Sequence, residues 1–223
     1  MTRRAVLWDM DGTLIDSEPV HAMAFEAAVR ELGLTVPHDF HDSLVGSSAE
    51  QVHRALVALT GTGISLGEWL ALKWRHYEVH SAAIPRRASV SAVAEVLAAR
   101  GVPMAVVSNS SADEVALCLR ATGLDLILPV TISRTDLRRG KPEPDGYLLA
   151  AERLGCAPGN CLVVEDSRLG VAAGLAAGMA VLFHPQANTP GGDTRPQGAY
   201  FLAPDADPMP PVQQFITTGR LFP

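Results

Sequence analysis

The sequence lacks the long apolar runs of a membrane protein and the positive charge of a nucleic-acid-binding protein. No run among its 223 residues reaches the length of a bilayer span, and the N-terminus shows no signal-peptide pattern. Acidic residues outnumber Lys and Arg by 24 to 18, and the net charge of −6 disfavours binding to nucleic acid or to anionic lipid. We therefore expect neither nucleic acid nor a membrane as a partner.

Cysteine is also scarce, and its distribution bears on the compartment. The three cysteines, Cys118, Cys156 and Cys161, are odd in number and lie among apolar residues, which predicts buried free thiols in a reducing compartment. The cytoplasm is therefore the expected location. A zinc site would need a closer and denser set of ligands. The hydrophobic content of 48% is ample for a core, and the length allows one large domain or two modest ones.

The first stretch with the residues for chemistry follows a short apolar run at positions 4–7. That run has no alternation, which predicts a parallel strand buried on both faces. Asp9 and Asp11 come directly after it, and two buried carboxylates are costly unless a cation or a reacting group compensates for them. Gly12 lets the backbone turn sharply, and Thr13 offers a hydroxyl. The alternative interpretation is a strand followed by an ordinary Asp-Gly turn.

Helix and strand patterns alternate along most of the chain, with one all-helical interruption. In that interruption, helices are predicted over residues 20–32, 47–60 and 65–81, and Ser-x-x-Glu capping boxes open the last two. The remaining elements follow as helices at 90–100, 111–122, 145–154 and 168–177, strands at 103–107, 126–132, 161–164 and 180–183, and a weak edge strand at 200–202 before a weak final helix. This order predicts an α/β fold with a parallel sheet and an inserted helical segment, residues 17–84.

Polar side chains stand at the carboxyl ends of several predicted strands, where an open parallel sheet binds its ligands. They are Asp9 and Asp11 after the first strand, Ser108 and Asn109 after the second, Glu165 and Asp166 after a later one, and Lys141 on a Pro-rich loop. The carboxylates indicate a hard divalent cation with oxygen ligands, and we expect Mg²⁺. The serine, asparagine and lysine are donors for an anion, so the set predicts phosphoryl transfer.

The chain resembles the haloacid dehalogenase superfamily, in the group with β-phosphoglucomutase and sugar-phosphate phosphatases. Four motifs carry the resemblance, and they occur in the family's order: Asp9-Met10-Asp11-Gly12-Thr13, Val107-Ser108-Asn109, Gly140-Lys141-Pro142, and Val164-Glu165-Asp166-Ser167 with Gly170. The resemblance covers residues 4–183. It implies a Rossmann-like core of residues 1–16 and 85–223, with residues 17–84 as a mobile α-helical cap hinged near 16–19 and 84–89.

The resemblance also implies a mechanism that passes through an aspartyl-phosphate. Asp9 would attack phosphorus, and Asp11 would protonate the leaving oxygen and then deprotonate the attacking water. Ser108 and Lys141 would bind the phosphoryl group. Taken alone, Ser108 could be a turn serine and Lys141 a solvated loop residue, and residues 165–166 could be a helix cap.

The implied ligands fall into a metal set and a substrate set. The Mg²⁺ ligands would be Asp9, the Asp11 backbone carbonyl, Asp166, and Glu165 directly or through water. The substrate contacts would be Gly12, Thr13, Asn109, His21 and Gly46. His21 stands twelve positions after Asp9, as in related mutases, with a surface helix histidine as the alternative. Gly46 stands where the family has its substrate-specificity loop.

Two further groups in the helical segment allow alternative interpretations. His76 and His80 lie one helical turn apart and could bind zinc, although a solvated helix face explains them as well. Lys73 and Arg75 could meet the far end of a substrate, and again a solvated face is the simpler interpretation.

Three functions remain open at this point. The leading one is a Mg²⁺-dependent phosphatase acting on a small phosphorylated metabolite such as a sugar phosphate. The second is a phosphomutase, which is disfavoured because Ala49 stands where β-phosphoglucomutases carry an Arg that holds the distal phosphate. The third is a catalytically silent module, which the intact pair Asp9 and Asp11 disfavours. The presence of Asp11 also argues against dehalogenase and phosphonate chemistry. We expect a monomer or a weak homodimer.

Overall fold

A computed structural model describes residues 3–44, 49–187 and 194–221. The chain divides into two compact units, which we call the α/β unit, Met1–Asp16 with Pro85–Pro223, and the helical unit, Ser17–Ile84. Among the described residues, no helix is both long enough and apolar enough to span a membrane.

One parallel sheet organises the α/β unit. Its strands are β1 Ala5–Trp8, β2 Met104–Val107, β3 Thr131–Ile132, β4 Cys161–Glu165, β5 Ala180–Phe183 and β6 Tyr200–Phe201. They lie in the order β3-β2-β1-β4-β5-β6, and every neighbouring pair is parallel. The α/β fold class with a parallel sheet is therefore confirmed. The order reverses at β1, so β2 and β4 flank that strand and their carboxyl ends meet beside it.

The central strands are apolar because both faces of the sheet are covered. All four residues of β1 and residues 161–164 of β4 are buried, as the unalternating apolar runs predict, and Glu165 at the end of β4 is buried as well. The covering helices are α4 Ala88–Ala99, α5 Ala112–Thr122, α6 Asp145–Leu154, α7 Arg168–Ala176 and α8 Met209–Thr218. Two of them begin at serine caps, where Ser111 Oγ accepts from Glu114 N at 3.3 Å and Ser167 Oγ accepts from Gly170 N at 3.1 Å.

The helical unit contains the three predicted helices, α1 Glu18–Glu31, α2 Ala49–Thr60 and α3 Leu66–His80. The capping box predicted at Ser65 is confirmed, since its hydroxyl accepts from Glu68 N and the Glu68 carboxylate accepts from Ser65 N. The other predicted capping box begins at Ser47, which lies outside the described residues. The ring of Phe25 meets that of Trp69 edge-on at 5.5 Å, in a core that also contains Leu56.

One predicted strand is much shorter than expected. The apolar run 126–132 forms a strand only at Thr131–Ile132. Its first half turns instead, because the amides of Ile127 and Leu128 both donate to the carbonyl of Leu124. Pro129 has no amide hydrogen to contribute to a ladder. Apolar character alone therefore misassigned as a strand a turn in which Leu128 is buried and Leu126 is exposed.

Candidate active site

The carboxyl end of β1 delivers Asp9 into a buried position beside β4. The Asp9 amide donates to Val164 O at 3.0 Å, so the pairing of the two strands extends one residue beyond β1 itself. One carboxylate oxygen, Oδ1, accepts from Lys141 Nζ. The other, Oδ2, is buried and has no hydrogen-bond partner among the described residues. A buried carboxylate oxygen without a donor is costly, which indicates that a ligand completes this position.

Asp11 faces the carboxyl end of β2. Its Oδ2 accepts from Ser108 Oγ at 3.3 Å and from Ser110 Oγ at 3.1 Å, while the Ser110 amide donates to Ser108 Oγ at 2.9 Å. Ser108 was predicted from the sequence, but Ser110 was not. The Ser-x-Ser spacing that follows a strand was the available signal, because residues two apart can turn their hydroxyls towards the same neighbour.

Lys141 is held by its backbone as well as by its ammonium group. Its amide donates to Asn109 Oδ1 at 2.9 Å and its carbonyl accepts from Asn109 Nδ2 at 3.2 Å, so the asparagine amide pairs with the loop backbone. Its Nζ donates to Glu165 Oε1 at 2.6 Å in addition to Asp9 and lies 5.2 Å from the centre of the Tyr147 ring. The structure thus brings Asn109 to the lysine loop.

Glu165 is completely buried, and both of its oxygens accept from protein donors. Oε1 accepts from Lys141 Nζ and from Tyr147 OH at 2.7 Å, and Oε2 accepts from Ser167 N at 3.1 Å and Ser167 Oγ at 2.9 Å. A Cβ at position 170 would overlap this carboxylate, which explains the glycine there. These contacts make Glu165 the support of Lys141, and its ligation to a metal stays a prediction.

Burial and like charge shift the titration of this cluster. Burial raises the pKa of the Asp9 carboxyl well above its ordinary range, and the charge of Glu165 adds to that shift while Lys141 opposes it. Burial and Glu165 likewise raise the pKa of Asp166 to about 7, against Arg87 and Lys141. Burial lowers the pKa of Lys141, but Asp9 and Glu165 outweigh burial and raise it above its ordinary value. The positive charges of Lys141 and Arg87 therefore do not fully offset the burial and mutual repulsion of these carboxylates.

The same cluster fits a divalent cation. Asp9, Glu165 and Asp166 offer carboxylate oxygens that all lie within 4.8 Å of one another. The donors are oxygen atoms, the kind that Mg²⁺ prefers. Gly12 adopts φ +83°, and a Cβ there would overlap the Asp166 carboxylate. Glycine is thus required for the backbone to approach this group.

Other predicted site residues lie in different surroundings. Thr13 is buried, and its Oγ1 has no hydrogen-bond partner among the described residues, as for a group that awaits a ligand. In the helical unit, His21 stacks on Tyr77 with ring centres 4.4 Å apart. His76 Nε2 lies 2.9 Å from Glu31 Oε2, so this histidine pairs with a carboxylate of α1. Gly46 lies outside the described residues.

The comparison with known families identifies the class of protein. Residues 3–178 match the sequence profile described as haloacid dehalogenase-like hydrolase. The chain therefore belongs to the haloacid dehalogenase-like hydrolases, as its four motifs predicted. Within that family it is an enzyme of the phosphatase type.

Individual relatives agree with this class. Hexitol phosphatase A of Escherichia coli strain K12 is 34% identical over 85% of this chain and 87% of its own length. The phosphorylated carbohydrates phosphatase of Thermotoga maritima is 28% identical over 80% and 83%. Among solved structures, a putative β-phosphoglucomutase from Thermotoga maritima superposes with a TM-score of 0.78 at 24% identity, covering 90% of this chain and 94% of that one. This last likeness concerns the fold.

Proposed function

We propose that this protein is a Mg²⁺-dependent phosphatase that hydrolyses a small phosphorylated carbohydrate through an aspartyl-phosphate on Asp9. The observation that carries the proposal is the state of Asp9. One oxygen is held by Lys141, and the other is buried with no hydrogen-bond partner among the described residues. An attacking carboxylate needs this combination, because one oxygen fixes the orientation while the other forms the new bond.

The steps follow from the groups around Asp9. Asp9 Oδ2 forms a bond to phosphorus as the bond from phosphorus to the substrate oxygen breaks. Asp11 gives its proton to that oxygen, so the leaving group departs as an alcohol. Asp11 then takes a proton from a water molecule that attacks the phosphorus of the aspartyl-phosphate. The products are inorganic phosphate and the original Asp9 carboxylate.

The neighbouring donors have distinct tasks in this scheme. Ser108 and Lys141 bind phosphoryl oxygens, and Lys141 also steadies Asp9. Asp9, Asp166 and the Asp11 carbonyl hold the cation, with Glu165 as a further candidate ligand. When bound, Mg²⁺ offsets the repulsion between the Asp9 carboxylate and the phosphate dianion. Gly12 and Thr13 line the phosphoryl position.

The substrate class is proposed from the relatives, since the names of two of them specify hexitol or carbohydrate phosphates. The runner-up remains a phosphomutase. Against it, α2 begins with Ala49 and Glu50, and neither residue supplies the cation that would hold a distal phosphate. The role of the helical unit as a mobile cap stays a prediction. The same is true of the cytoplasmic location and of the monomer or weak homodimer.

The test is a screen of phosphorylated sugars and polyols with Mg²⁺, in which release of inorganic phosphate is measured. β-Glucose 1-phosphate with a catalytic amount of the 1,6-bisphosphate decides between hydrolysis and isomerisation. We expect free phosphate. Glucose 6-phosphate forming faster than free phosphate would establish the mutase instead, and an absence of both activities across the panel would refute the proposed substrate class.

A further inference from the structure

We propose that Arg87 is a positioning residue of this site, which holds the Gly12 peptide so that Asp166 and the loop after Asp9 keep the arrangement needed for turnover. The inference rests on the proposed function, because it concerns the rate of the same reaction. Arg87 directly precedes α4, at the point where the chain returns from the helical unit to the α/β unit. None of the four sequence motifs contains it.

The Arg87 side chain joins two loops that belong to different strands. Its Nη1 donates to Gly12 O at 2.5 Å and to His184 O at 3.1 Å. Gly12 follows β1, and His184 follows β5. In the sheet these strands lie on either side of β4, the strand that leads into Asp166. One guanidinium group therefore bridges the end of β4 and fixes the two loops that flank Asp166.

The Gly12 peptide is the part of the loop that contacts the Asp166 carboxylate. A Cβ at this glycine would overlap Asp166 Oδ2, so the Gly12 backbone packs directly against that carboxylate. The Gly12 carbonyl also accepts from Gln186 Nε2 at 3.4 Å, and the shorter bond comes from Arg87. A shift of this peptide would displace Asp166 and would alter the turn that follows Asp9 and Asp11.

The charge of Arg87 also suits this position. Its guanidinium group is partly buried and interacts with the carboxylates of Asp166 and Asp16. Around the three clustered carboxylates, Lys141 lies on the side of Asp9 and Glu165, whereas Arg87 lies on the side of Asp166. The positive charge therefore reaches the cluster from two sides, while the single nitrogen Nη1 of Arg87 donates to both carbonyls.

A purely structural role for Arg87 is separable from this one, because other bonds brace the same segment. The Arg87 backbone amide donates to Leu14 O at 2.9 Å, and the Asp16 amide donates to Pro85 O at 2.9 Å. Ser91 Oγ also donates to Leu14 O, at 3.0 Å. These bonds remain when the Arg87 side chain is shortened, so the entry to α4 should keep its fold.

The chain offers a matched control one residue away. Arg86 makes an ion pair with Glu95 at 2.7 Å and donates to Thr122 O at 2.6 Å, so like Arg87 it donates to a backbone carbonyl and has a carboxylate nearby. Glu95 lies in α4 and Thr122 in α5, so neither partner belongs to a motif loop. Arg86→Met removes the same charge and the same kind of bond as Arg87→Met, but leaves the Gly12 peptide untouched.

Two measurements test the proposal. In metal-free protein, hydrogen–deuterium exchange of the segment 10–16 reports on the Gly12 loop, where the Gly12 amide donates to Ile15 O at 2.8 Å. We expect exchange about tenfold faster in Arg87→Met, because a charge-assisted hydrogen bond to the loop is lost. With Mg²⁺ and substrate, we expect kcat to fall about tenfold while KM stays within about twofold, since the loss concerns the arrangement of reacting groups.

Arg87→Lys should recover part of both effects, whereas Arg86→Met should resemble the wild type in both. Wild-type exchange or wild-type kcat in Arg87→Met would overturn the inference, because positioning must change both. If Arg87→Met does not fold, Arg87→Lys is compared with Arg86→Lys by the same measurements. Should the wild type show no Mg²⁺-dependent turnover, the proposed function fails, and exchange alone decides whether Arg87 holds the loop.

Discussion

The charged groups of the two units differ sharply in how they are held. In the α/β unit, Lys141 and Glu165 form a pair at 2.6 Å whose side chains are 7% and 0% exposed. In the helical unit, Arg75 and Glu31 form a pair at the same 2.6 Å, but their side chains are 60% and 46% exposed. The electrostatic interaction therefore differs between the two pairs at equal distance, because water and salt screen the exposed pair and not the buried one. We therefore expect the buried pair, and not the exposed one, to contribute to stability and activity.

The largest loss of activity should come from substitution of the proposed nucleophile, Asp9. Asp9→Asn preserves the shape of the side chain but removes the attacking oxygen. We expect turnover to fall by at least about a thousandfold, as for other covalent nucleophiles. The rate of phosphate release measures it, and circular dichroism verifies that the fold is retained. Comparable rates in the Asn variant would refute the assignment of Asp9.

Removal of the metal should have an effect of similar size. A chelator should abolish activity, and added Mg²⁺ should restore it. Ca²⁺ should restore it poorly, because it prefers more ligands at longer distances. Full activity in the presence of chelator would contradict the metal assignment of Asp166.

The buried pair and the exposed pair can be compared by one matched substitution. Glu165→Gln should cost about 3 kcal/mol of unfolding free energy, because it leaves Lys141 with a weaker partner in a buried site. It should also lower kcat about a hundredfold through misplacement of Lys141. Glu31→Gln should leave the free energy of unfolding and kcat unchanged. Urea unfolding and steady-state kinetics on both variants measure this, and equal behaviour of the two would remove the distinction between the units.

Binding of Mg²⁺ should depend on pH. The pKa of Asp166 is raised to about 7 in the metal-free protein, so below that pH the carboxyl holds a proton that Mg²⁺ must displace. The affinity for Mg²⁺ should therefore fall as pH falls, by about tenfold per pH unit for each proton released. Calorimetric titration in two buffers of different ionisation enthalpy counts that proton. A pH-independent affinity between about pH 5 and 7, the two units below the titration midpoint, would contradict the shift.

The smallest effect concerns Ser110, which contacts Asp11 together with Ser108. Ser110→Ala removes the Ser110 hydroxyl as a donor to the Asp11 carboxylate and leaves that of Ser108. We expect kcat to change by only about threefold, because the Ser108 bond remains. The upper limb of the pH–rate profile should shift to higher pH, since a donor to the ionised carboxylate is lost. An unchanged profile would show that Ser110 does not act on Asp11.

The sequence allowed the site to be predicted where its residues adjoin strands. Asp9, Ser108 and Asp166 could be placed because parallel strands end at one edge, and this is a property of the pattern itself. Ser110 had a signal that the prediction did not use, its spacing of two from Ser108, but Tyr147 had none, because a helix residue reaches the site only through packing. Arg87 was missed for the same reason, since its partners lie 75 and 97 residues away in the chain. The short β3 shows the converse limit, because an apolar run that turns at the surface has the same signature as a strand.

The pairing between Asn109 and the Lys141 backbone has a consequence for ligand binding. Because the asparagine amide uses both its acceptor and its donor on one residue, the loop after β3 is fastened to the end of β2. Ser108 and Lys141 are thereby parts of a single rigid body before any anion arrives. An anion that enters need not order these donors one at a time, so little conformational entropy is lost on binding. Asn109 thus preorganises Ser108 and Lys141 for anion binding without having to contact the anion itself.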